Sequence, residues 1–193
     1  MPRWRAERPA SAGCCAGKGA MKLGVLADTH DHLEALSGAL RAFRRAKVQA
    51  ILHAGDYVAP FALQRLLEAG LPVYGVFGNC DGERAGLTKL LPDLAPGPRH
   101  LELGGRKICL VHVRETLSHE DREASDIVIF GHTHEPLVTR DEGRLVLNPG
   151  ECCGWTTGRS TAALLDTQAM TAEIIQPSAP AKVARKQQKE VRK

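Results

Sequence analysis

A chain of 193 residues that is 43% hydrophobic and 25% charged has enough apolar residues to bury the core of one α/β-sized domain. Its six cysteines include two adjacent pairs and no Cys-x-x-Cys spacing, which argues against a zinc ribbon and against a secreted disulfide framework. The net charge of +4 comes from the two ends of the chain, so the net acidic body between them suits cations better than nucleic acid.

The two ends of the chain lack the patterns of a folded domain. Residues 1–20 are rich in Ala, Gly and Arg without a hydrophobic period, and Met21 opens directly onto an apolar run. We interpret residues 1–20 as a disordered extension, with Met21 as an alternative start, and residues 177–193 as a basic disordered tail. Neither a secretory signal nor a run of roughly 20 apolar residues is present, so we expect a cytoplasmic protein with one domain over 21–176.

The first half of that domain alternates strand and helix patterns. Residues 22–27, 50–53 and 72–77 are short apolar runs typical of buried strands, and apolar residues recur at helical spacing in 33–45 and 61–67. This alternation predicts a parallel sheet with right-handed crossovers. After a looser stretch we expect further strands, which lie near 99–103, 106–111, 127–130, 136–140, 144–147, 160–166 and 170–175.

Two tight turns in the second half predict antiparallel pairing. Gly104-Gly105 and Glu142-Gly143 each separate two apolar runs by a pair of turn residues, which is the signature of a β-hairpin. A parallel α/β half followed by a largely antiparallel half indicates an α/β fold with two packed sheets flanked by helices.

Side chains of metal-ligand type follow five of the expected strands. They are Asp28, His30, Asp56, Asn79, His112, His132 and His134. Open α/β sheets bind ligands at the carboxyl edge of their strands, so these segments are expected to converge there. Asp28 and His30 stand two residues apart, as His132 and His134 do, and in extended chain such pairs point to the same side. Gly55, Gly78 and Gly131 permit sharp turns and close backbone approach to a bound group.

Each of these residues also has an ordinary explanation when it is considered alone. Asp28 can cap a helix, Asn79 can be a left-handed turn residue, and His112 can be a hydrogen-bonded core histidine. Their joint occurrence at strand ends favours a metal site. Carboxylate, imidazole and amide ligands suit Mn, Fe, Co, Ni or Zn, and seven candidates predict two ions that share one ligand. We interpret the remaining candidates as turn or surface residues: Asp31, His32, His53, His100 and His119.

The segments ADTHDH, HAGD, GNCD, GHTHE and NPGECCGW, with His112 between the third and fourth, resemble the calcineurin-like metallophosphoesterase superfamily. Within it they look most like the small prokaryotic YfcE-type phosphodiesterases. The resemblance covers about residues 21–176 and implies a four-layer α/β/β/α sandwich. It also implies a dinuclear phosphodiesterase, with manganese or nickel among its metals, in which a hydroxide that bridges the two ions attacks the phosphate ester.

The resemblance assigns each candidate ligand to a metal. One metal would be held by Asp28, His30, Asp56 and His134, and the other by Asn79, His112, His132 and the bridging Asp56. Asp56, Asn79 and His112 would act in catalysis through the metals. Cys80 stands where many members have a histidine that protonates the leaving group, and a neutral thiol is a weak donor, so the general acid is not identified.

Three other residues near these motifs have more than one interpretation. Arg114 follows His112 where the superfamily usually has a second histidine, and either a phosphate contact or a surface ion pair with Glu115 or Glu120 explains it. Cys152 and Cys153 are adjacent and would form a disulfide only with strain, so packing is the preferred role and redox sensing the alternative.

The same superfamily includes a retromer-type subunit that uses this fold as a non-catalytic scaffold for protein interaction. Retention of all seven ligand types favours the enzyme over that alternative. The expected partner is a small phosphate-ester substrate, whose identity would be set by loops 83–98 and 113–125. Aromatic residues form only 4% of the chain and none lies among the basic residues of the tail, which argues against nucleic acid. A homo-oligomer remains open.

Overall fold

The computed structural model describes residues 19–177, and the predictions for the extension and the tail lie almost entirely outside this range. Four α-helices occur in the described residues: α1 (Leu33–Ala46), α2 (Pro60–Leu67), α3 (Arg84–Leu90) and α4 (His119–Glu123). The strands are β1 (Lys22–Leu26), β2 (Ala50–His53), β3 (Val73–Phe77), β4 (Ala95–Pro96), β5 (Arg99–Leu103), β6 (Arg106–Leu110), β7 (Ile127–Ile129), β8 (Pro136–Asp141), β9 (Arg144–Pro149), β10 (Ala162–Asp166) and β11 (Thr171–Ile175).

Residues 19–177 form two mixed sheets. The first has the strand order β11-β10-β1-β2-β3-β4, in which β1, β2 and β3 are parallel as predicted and β4, which was not predicted, pairs parallel with β3. The second has the order β5-β6-β7-β9-β8, and the two predicted hairpins, β5-β6 and β8-β9, form its edges. The expected division into a parallel half and a largely antiparallel half needs two corrections. Strands β6, β7 and β9 are parallel, and β10 returns to pair antiparallel with β1 in the first sheet.

The strands of both sheets alternate their side chains between two apolar layers. Leu23 and Val25 of β1 face the second sheet and pack in one cluster with Ile108 and Leu110 of β6. The intervening Leu26 instead belongs to the cluster under α1 and α2. Successive side chains of β1 point to opposite faces, and each face is covered, one by the second sheet and the other by the helices.

Helix α1 lies directly against β1 because Gly24 has no side chain. A Cβ atom at Gly24 would lie 2.6 Å from the ring of Phe43, which is buried in the helix-facing cluster. On the far side of the second sheet, Leu117 covers Val128 and Phe130 in a third apolar cluster. The three clusters are the interfaces of the predicted four-layer sandwich.

Some local details differ from the sequence-based expectations. The stretch 83–98 contains helix α3 and the short strand β4, and the loop 113–125 contains a 3-10 turn and α4. Leu33 and Phe61 were expected on the buried stripes of α1 and α2, yet their side chains are 40% and 49% exposed. Both residues lie in the first turn of their helix, at the end nearest the carboxyl edge of the sheet.

None of the helices in the described residues has the length and apolar composition that a membrane crossing requires.

Candidate metal centre

The loops after β1, β2, β3, β6 and β7 bring the seven predicted ligand residues into one group, which we call the candidate metal centre. Each member has a nitrogen or oxygen atom within 4 Å of that of another member. Asp28, Asp56 and His112 are buried, whereas His30 and His134 are half-buried and Asn79 and His132 are exposed. The members are Asp28, His30, Asp56, Asn79, His112, His132 and His134.

The ligand residues reach this arrangement through turns rather than through extended chain. Asp28, His30 and Asp56 have φ values of 51°, 38° and 62°, and His132 and His134 have 68° and 63°. These values lie in the left-handed region, which costs non-glycine residues roughly 1–2 kcal/mol. The expectation that each pair points to one side because its backbone is extended is therefore wrong. Strained backbone that the surrounding structure maintains is typical of functional sites.

The glycines beside the ligands make room for ligand side chains. A Cβ atom at Gly78 would lie 2.0 Å from Asp56 Oδ1, and one at Gly131 would lie 2.9 Å from Asp28 Oδ2. A Cβ atom at Gly55 would lie 2.7 Å from His112 Nδ1. We expected these glycines to permit the approach of a bound group, and the contacts observed are instead with the protein's own ligand residues.

Asp56 lies at the middle of the group. Its Oδ2 atom is 3.6 Å from His30 Nε2 on one side and 3.5 Å from His112 Nε2 on the other. Its Oδ1 atom accepts a hydrogen bond of 2.8 Å from the backbone N–H of Cys80. The backbone contact fixes the carboxylate and leaves Oδ2 directed between two imidazoles.

The two histidines nearest Asn79 converge on its amide oxygen. His112 donates its Nδ1–H to the carbonyl of Ala54 over 2.8 Å, so Nε2 of the neutral ring carries a lone pair. That Nε2 is 2.8 Å from Asn79 Oδ1, which is also an acceptor, and His132 Nδ1 lies 2.9 Å from the same oxygen. Burial lowers the pKa of His112 despite the opposing effect of Asp56, which favours the neutral ring. Two lone pairs this close repel each other, and a cation bound to both atoms would remove that repulsion.

The same arrangement recurs at His134. Glu151 is fully buried, and its Oε2 accepts the Nδ1–H of His134 over 2.8 Å. The lone pair on His134 Nε2 then faces Asp28 Oδ1 at 3.5 Å. A carboxylate behind a histidine fixes the ring orientation and raises the basicity of the ligand nitrogen in metal sites.

Two buried polar atoms of the group have no hydrogen-bond partner among the described residues: Asp28 Oδ1 and His30 Nε2. Burial and the neighbouring carboxylate of Asp56 raise the pKa of Asp28 to about 7, although His134 favours ionisation. Both features are unfavourable without a cation, because unpaired buried polar atoms carry a desolvation penalty. Asp28, His30 and His134 lie close enough together to hold one ion, as do Asp28, Asp56 and His112. The residues present therefore fit a metal site.

Comparison with known proteins identifies the family. Residues 21–170 match the model of the calcineurin-like phosphoesterase superfamily domain. The chain belongs to this superfamily. Phosphodiesterase MJ0936 of Methanocaldococcus jannaschii is 35% identical over 156 residues, which cover 77% of this chain and 94% of that protein. Phosphodiesterase YfcE of Escherichia coli K12 is 28% identical over 146 residues, which cover 67% of this chain and 78% of that one.

Solved structures of the superfamily share the fold. A novel archaeal phosphodiesterase is similar with a TM-score of 0.73 and 32% identity, over 81% of this chain and 99% of that chain. Vacuolar protein sorting 29 of Cryptosporidium parvum is similar with a TM-score of 0.55 and 20% identity, over 81% of this chain and 96% of that chain. At that identity the second likeness concerns the fold alone.

Three buried residues that support the candidate metal centre were not predicted. Asp81 accepts hydrogen bonds from the backbone N–H groups of Asp56, Val58 and Gly78 at 3.1, 2.8 and 2.7 Å, which joins the loops after β2 and β3. Glu151 is another, and its place in the motif NPGECCGW was the available signal. His53 is the third, and its burial at the end of β2 shows that its interpretation as a turn or surface residue was wrong.

His53 is fully buried and maintains the backbone next to Asp56. Its Nδ1 accepts the N–H of Gly55 and its Nε2–H donates to Thr29 Oγ1, which in turn donates to the carbonyl of Asp56. Burial lowers the pKa of His53 to about 3, and the neighbouring histidines contribute, so the ring is neutral. A buried, hydrogen-bonded strand-end histidine cannot be distinguished from a turn residue by sequence alone.

The other ambiguous residues now have defined surroundings. Arg114 pairs with Asp141 at 3.4 Å rather than with Glu115 or Glu120. Cys152 and Cys153 are free and buried, and Cys152 packs in the cluster under the helices, in agreement with a packing role. Cys80 is exposed at the candidate metal centre, where desolvation and hydrogen bonding to Asp56 raise the pKa of its thiol to about 11.

Proposed function

We propose that the protein is a phosphodiesterase that uses two divalent cations. Asp28, His30, Asp56 and His134 would hold one ion, and Asn79, His112, His132 and Asp56 the other. The observation that carries this proposal is the pair of inward-facing acceptors, His112 Nε2 against Asn79 Oδ1 at 2.8 Å and His134 Nε2 against Asp28 Oδ1 at 3.5 Å. Two such pairs in different parts of the centre support two ions rather than one.

Asp56 supports the assignment of a shared ligand. Its Oδ2 is almost equally distant from His30 and His112, which belong to the two proposed ligand sets. The mixture of imidazole, carboxylate and amide suits Mn, Ni, Fe, Co or Zn. Two ions held in this way supply Lewis-acid polarisation of the phosphoryl oxygen and lower the pKa of a nucleophilic water.

The side chains of the protein then have positioning roles. Glu151 and the Ala54 carbonyl orient the rings of His134 and His112 through their Nδ1–H groups. The backbone N–H of His132 donates to Asp28 Oδ2 at 3.1 Å, which directs Oδ1 of the same carboxylate into the centre. No side chain has to act as a nucleophile.

A phosphodiester is the proposed substrate class because of Cys80. Its thiol is neutral and a weak proton donor, so the chain provides no strong acid at this position for a poor leaving group. MJ0936 and YfcE are both named phosphodiesterases, which supports the same class. The scaffold alternative, for which vacuolar protein sorting 29 provides the fold precedent, has less support because the ligand set is complete.

The test is metal analysis together with turnover of bis(4-nitrophenyl) phosphate. We expect two ions per chain after reconstitution with Mn or Ni, and metal-dependent release of nitrophenol. Asp56→Asn should remove most of the activity and lower metal content while the fold is retained, because it weakens both sites together. The matched control Asp141→Asn changes a carboxylate that contacts Arg114 outside the candidate metal centre. One ion at most, or near-wild-type turnover by Asp56→Asn, would contradict the shared-ligand assignment.

A further inference from the structure

Trp155 is the most exposed of the large apolar side chains in the described residues. Its side chain is 64% exposed, and it lies in the loop between β9 and β10, which begins beside the candidate metal centre. An exposed indole retains a large apolar area in contact with water, and an aromatic ring at the edge of a polar site is an available stacking surface. Leu33 and Phe61, which are also exposed, lie after the strands β1 and β2 that supply ligands to the same centre.

The position of the indole relative to the proposed metals is defined by two histidines. The ring of Trp155 stacks on His32, with 5.5 Å between centroids and 25° between planes. It is also 6.3 Å from the ring of His30, and the Nε2 atom of His30 lies 3.6 Å from Asp56 Oδ2. The indole therefore lies beside a histidine ring that carries one of the proposed ligand atoms.

The loop that carries Trp155 is held firmly in place. Glu151 accepts hydrogen bonds from the backbone N–H of Thr156 at 3.0 Å and from Thr157 Oγ1 at 2.7 Å, and it is the carboxylate that orients His134. The carbonyl of Cys153 accepts a bond of 2.6 Å from His32 Nδ1. These contacts hold the chain on both sides of residue 155. The indole therefore loses little further conformational entropy when a ligand binds to it.

We propose that Trp155 is a specificity-determining residue that stacks on the nucleobase of a phosphodiester substrate. In a nucleoside phosphodiester the sugar separates the base from the phosphorus, so the base can lie on the indole while the phosphate lies at the proposed metals. Stacking tolerates different bases because every base has a π-face. This inference rests on the proposed phosphodiesterase function and adds its substrate class.

A fluorescence titration tests the contact without turnover. The chain has two tryptophans, Trp4 and Trp155, so a Trp4→Phe variant of the full chain leaves Trp155 as the only indole. In the zinc-loaded variant we expect adenosine 5′-monophosphate to quench this fluorescence saturably and ribose 5-phosphate to leave it unchanged. Equal responses to the two compounds would overturn the stacking assignment.

A kinetic comparison tests the effect on substrate choice. Thymidine 5′-(4-nitrophenyl) phosphate and methyl 4-nitrophenyl phosphate share a leaving group, and the first carries a nucleoside where the second carries a methyl group. We expect Trp155→Ala to lower the ratio of their kcat/KM values by about tenfold, and Trp155→Phe to preserve most of it, since a phenyl ring still stacks. Equal losses on both esters would overturn the inference. If the wild-type protein hydrolyses neither ester, the proposed function itself fails.

Discussion

The Nε2 atoms of His112 and His134 are available for a metal because the Nδ1 atom of each ring already has an acceptor. The acceptor is a backbone carbonyl for His112 and the buried carboxylate of Glu151 for His134. Glu151 carries a charge in a buried position because its hydrogen bonds outweigh desolvation. Desolvation raises the pKa of Glu151, but donors from Thr157, His134 and Thr156 hold it at about 2.

The first prediction concerns this carboxylate. Glu151→Gln keeps an acceptor for His134 but removes the charge, so we expect metal affinity to fall by about 10- to 100-fold. Isothermal titration of the metal-free protein with Mn or Zn measures the affinity. Glu102→Gln, which changes an exposed residue on β5, is the matched control. An unchanged affinity in Glu151→Gln would show that the negative charge behind His134 has no effect on metal binding.

A second prediction concerns Cys80. If its neutral thiol only fills the position, Cys80→Ser should retain activity within about tenfold, which is about 1.4 kcal/mol on the barrier. The measurement compares an activated aryl phosphodiester with an alkyl phosphodiester at equal metal content. A loss of several hundredfold on both substrates would assign a chemical role to the thiol.

At the scale of the elements, helices α1 and α2 pack on the first sheet and fix the loops that begin at its carboxyl edge. Gly24 is the closest point of that packing, because a Cβ atom there would lie 2.6 Å from the ring of Phe43. The ring of Phe43 is buried in the apolar cluster between the sheet and the helices. The distance between β1 and α1 therefore depends on the absence of a side chain at this position.

The third prediction follows from this contact. Gly24→Ala should lower the free energy of unfolding by about 1–3 kcal/mol, because overpacking forces the ring or the helix to shift. Gly82→Ala is the control, since a Cβ atom there meets nothing within 4 Å, and we expect a change within about 0.5 kcal/mol. Urea denaturation of the metal-free variants measures both. Equal stability of the two variants would mean that Phe43 moves without penalty.

At the scale of the whole molecule, the described clusters of buried residues all lie between Leu23 and Leu165. The family match covers residues 21–170, and no candidate ligand lies outside it. The two basic ends of the chain contain none of the seven candidate ligands. The bounds of the domain, residues 21 and 176, remain a prediction.

The fourth prediction is that a chain of residues 21–176 folds and hydrolyses bis(4-nitrophenyl) phosphate at nearly the rate of the full protein. The reason is that the ends carry no apolar period to pack against the core. Thermal denaturation and kcat/KM of the two proteins are the measurements. An insoluble or inactive shortened chain would show that an end supports the fold or the site.

The local sequence determined the strands and helices that have a regular apolar pattern, and it also determined the candidate ligands that follow the strands. Strands β1, β2 and β3 and helices α1 and α2 begin and end within a residue or two of their predicted bounds, because their apolar residues recur at regular spacing. The seven predicted ligands come together because they follow the carboxyl ends of parallel strands in both sheets, and these ends lie on the same side of the sandwich. Helix α4 was missed because none of its residues is buried, so it has no apolar stripe to detect.

Only the tertiary structure decided which distant segments meet. The pairing of Lys22 with Asp166 places β10 in the first sheet, although more than half of the chain separates the two strands. The contacts of Glu151 with His134 and of Trp155 with His32 likewise join loops from different strands. The low aromatic content argued against nucleic acid as a partner, whereas the proposed stacking of a single nucleobase depends on the position of one indole. Such contacts depend on long-range packing, and the local hydrophobic period does not reveal which segments will meet.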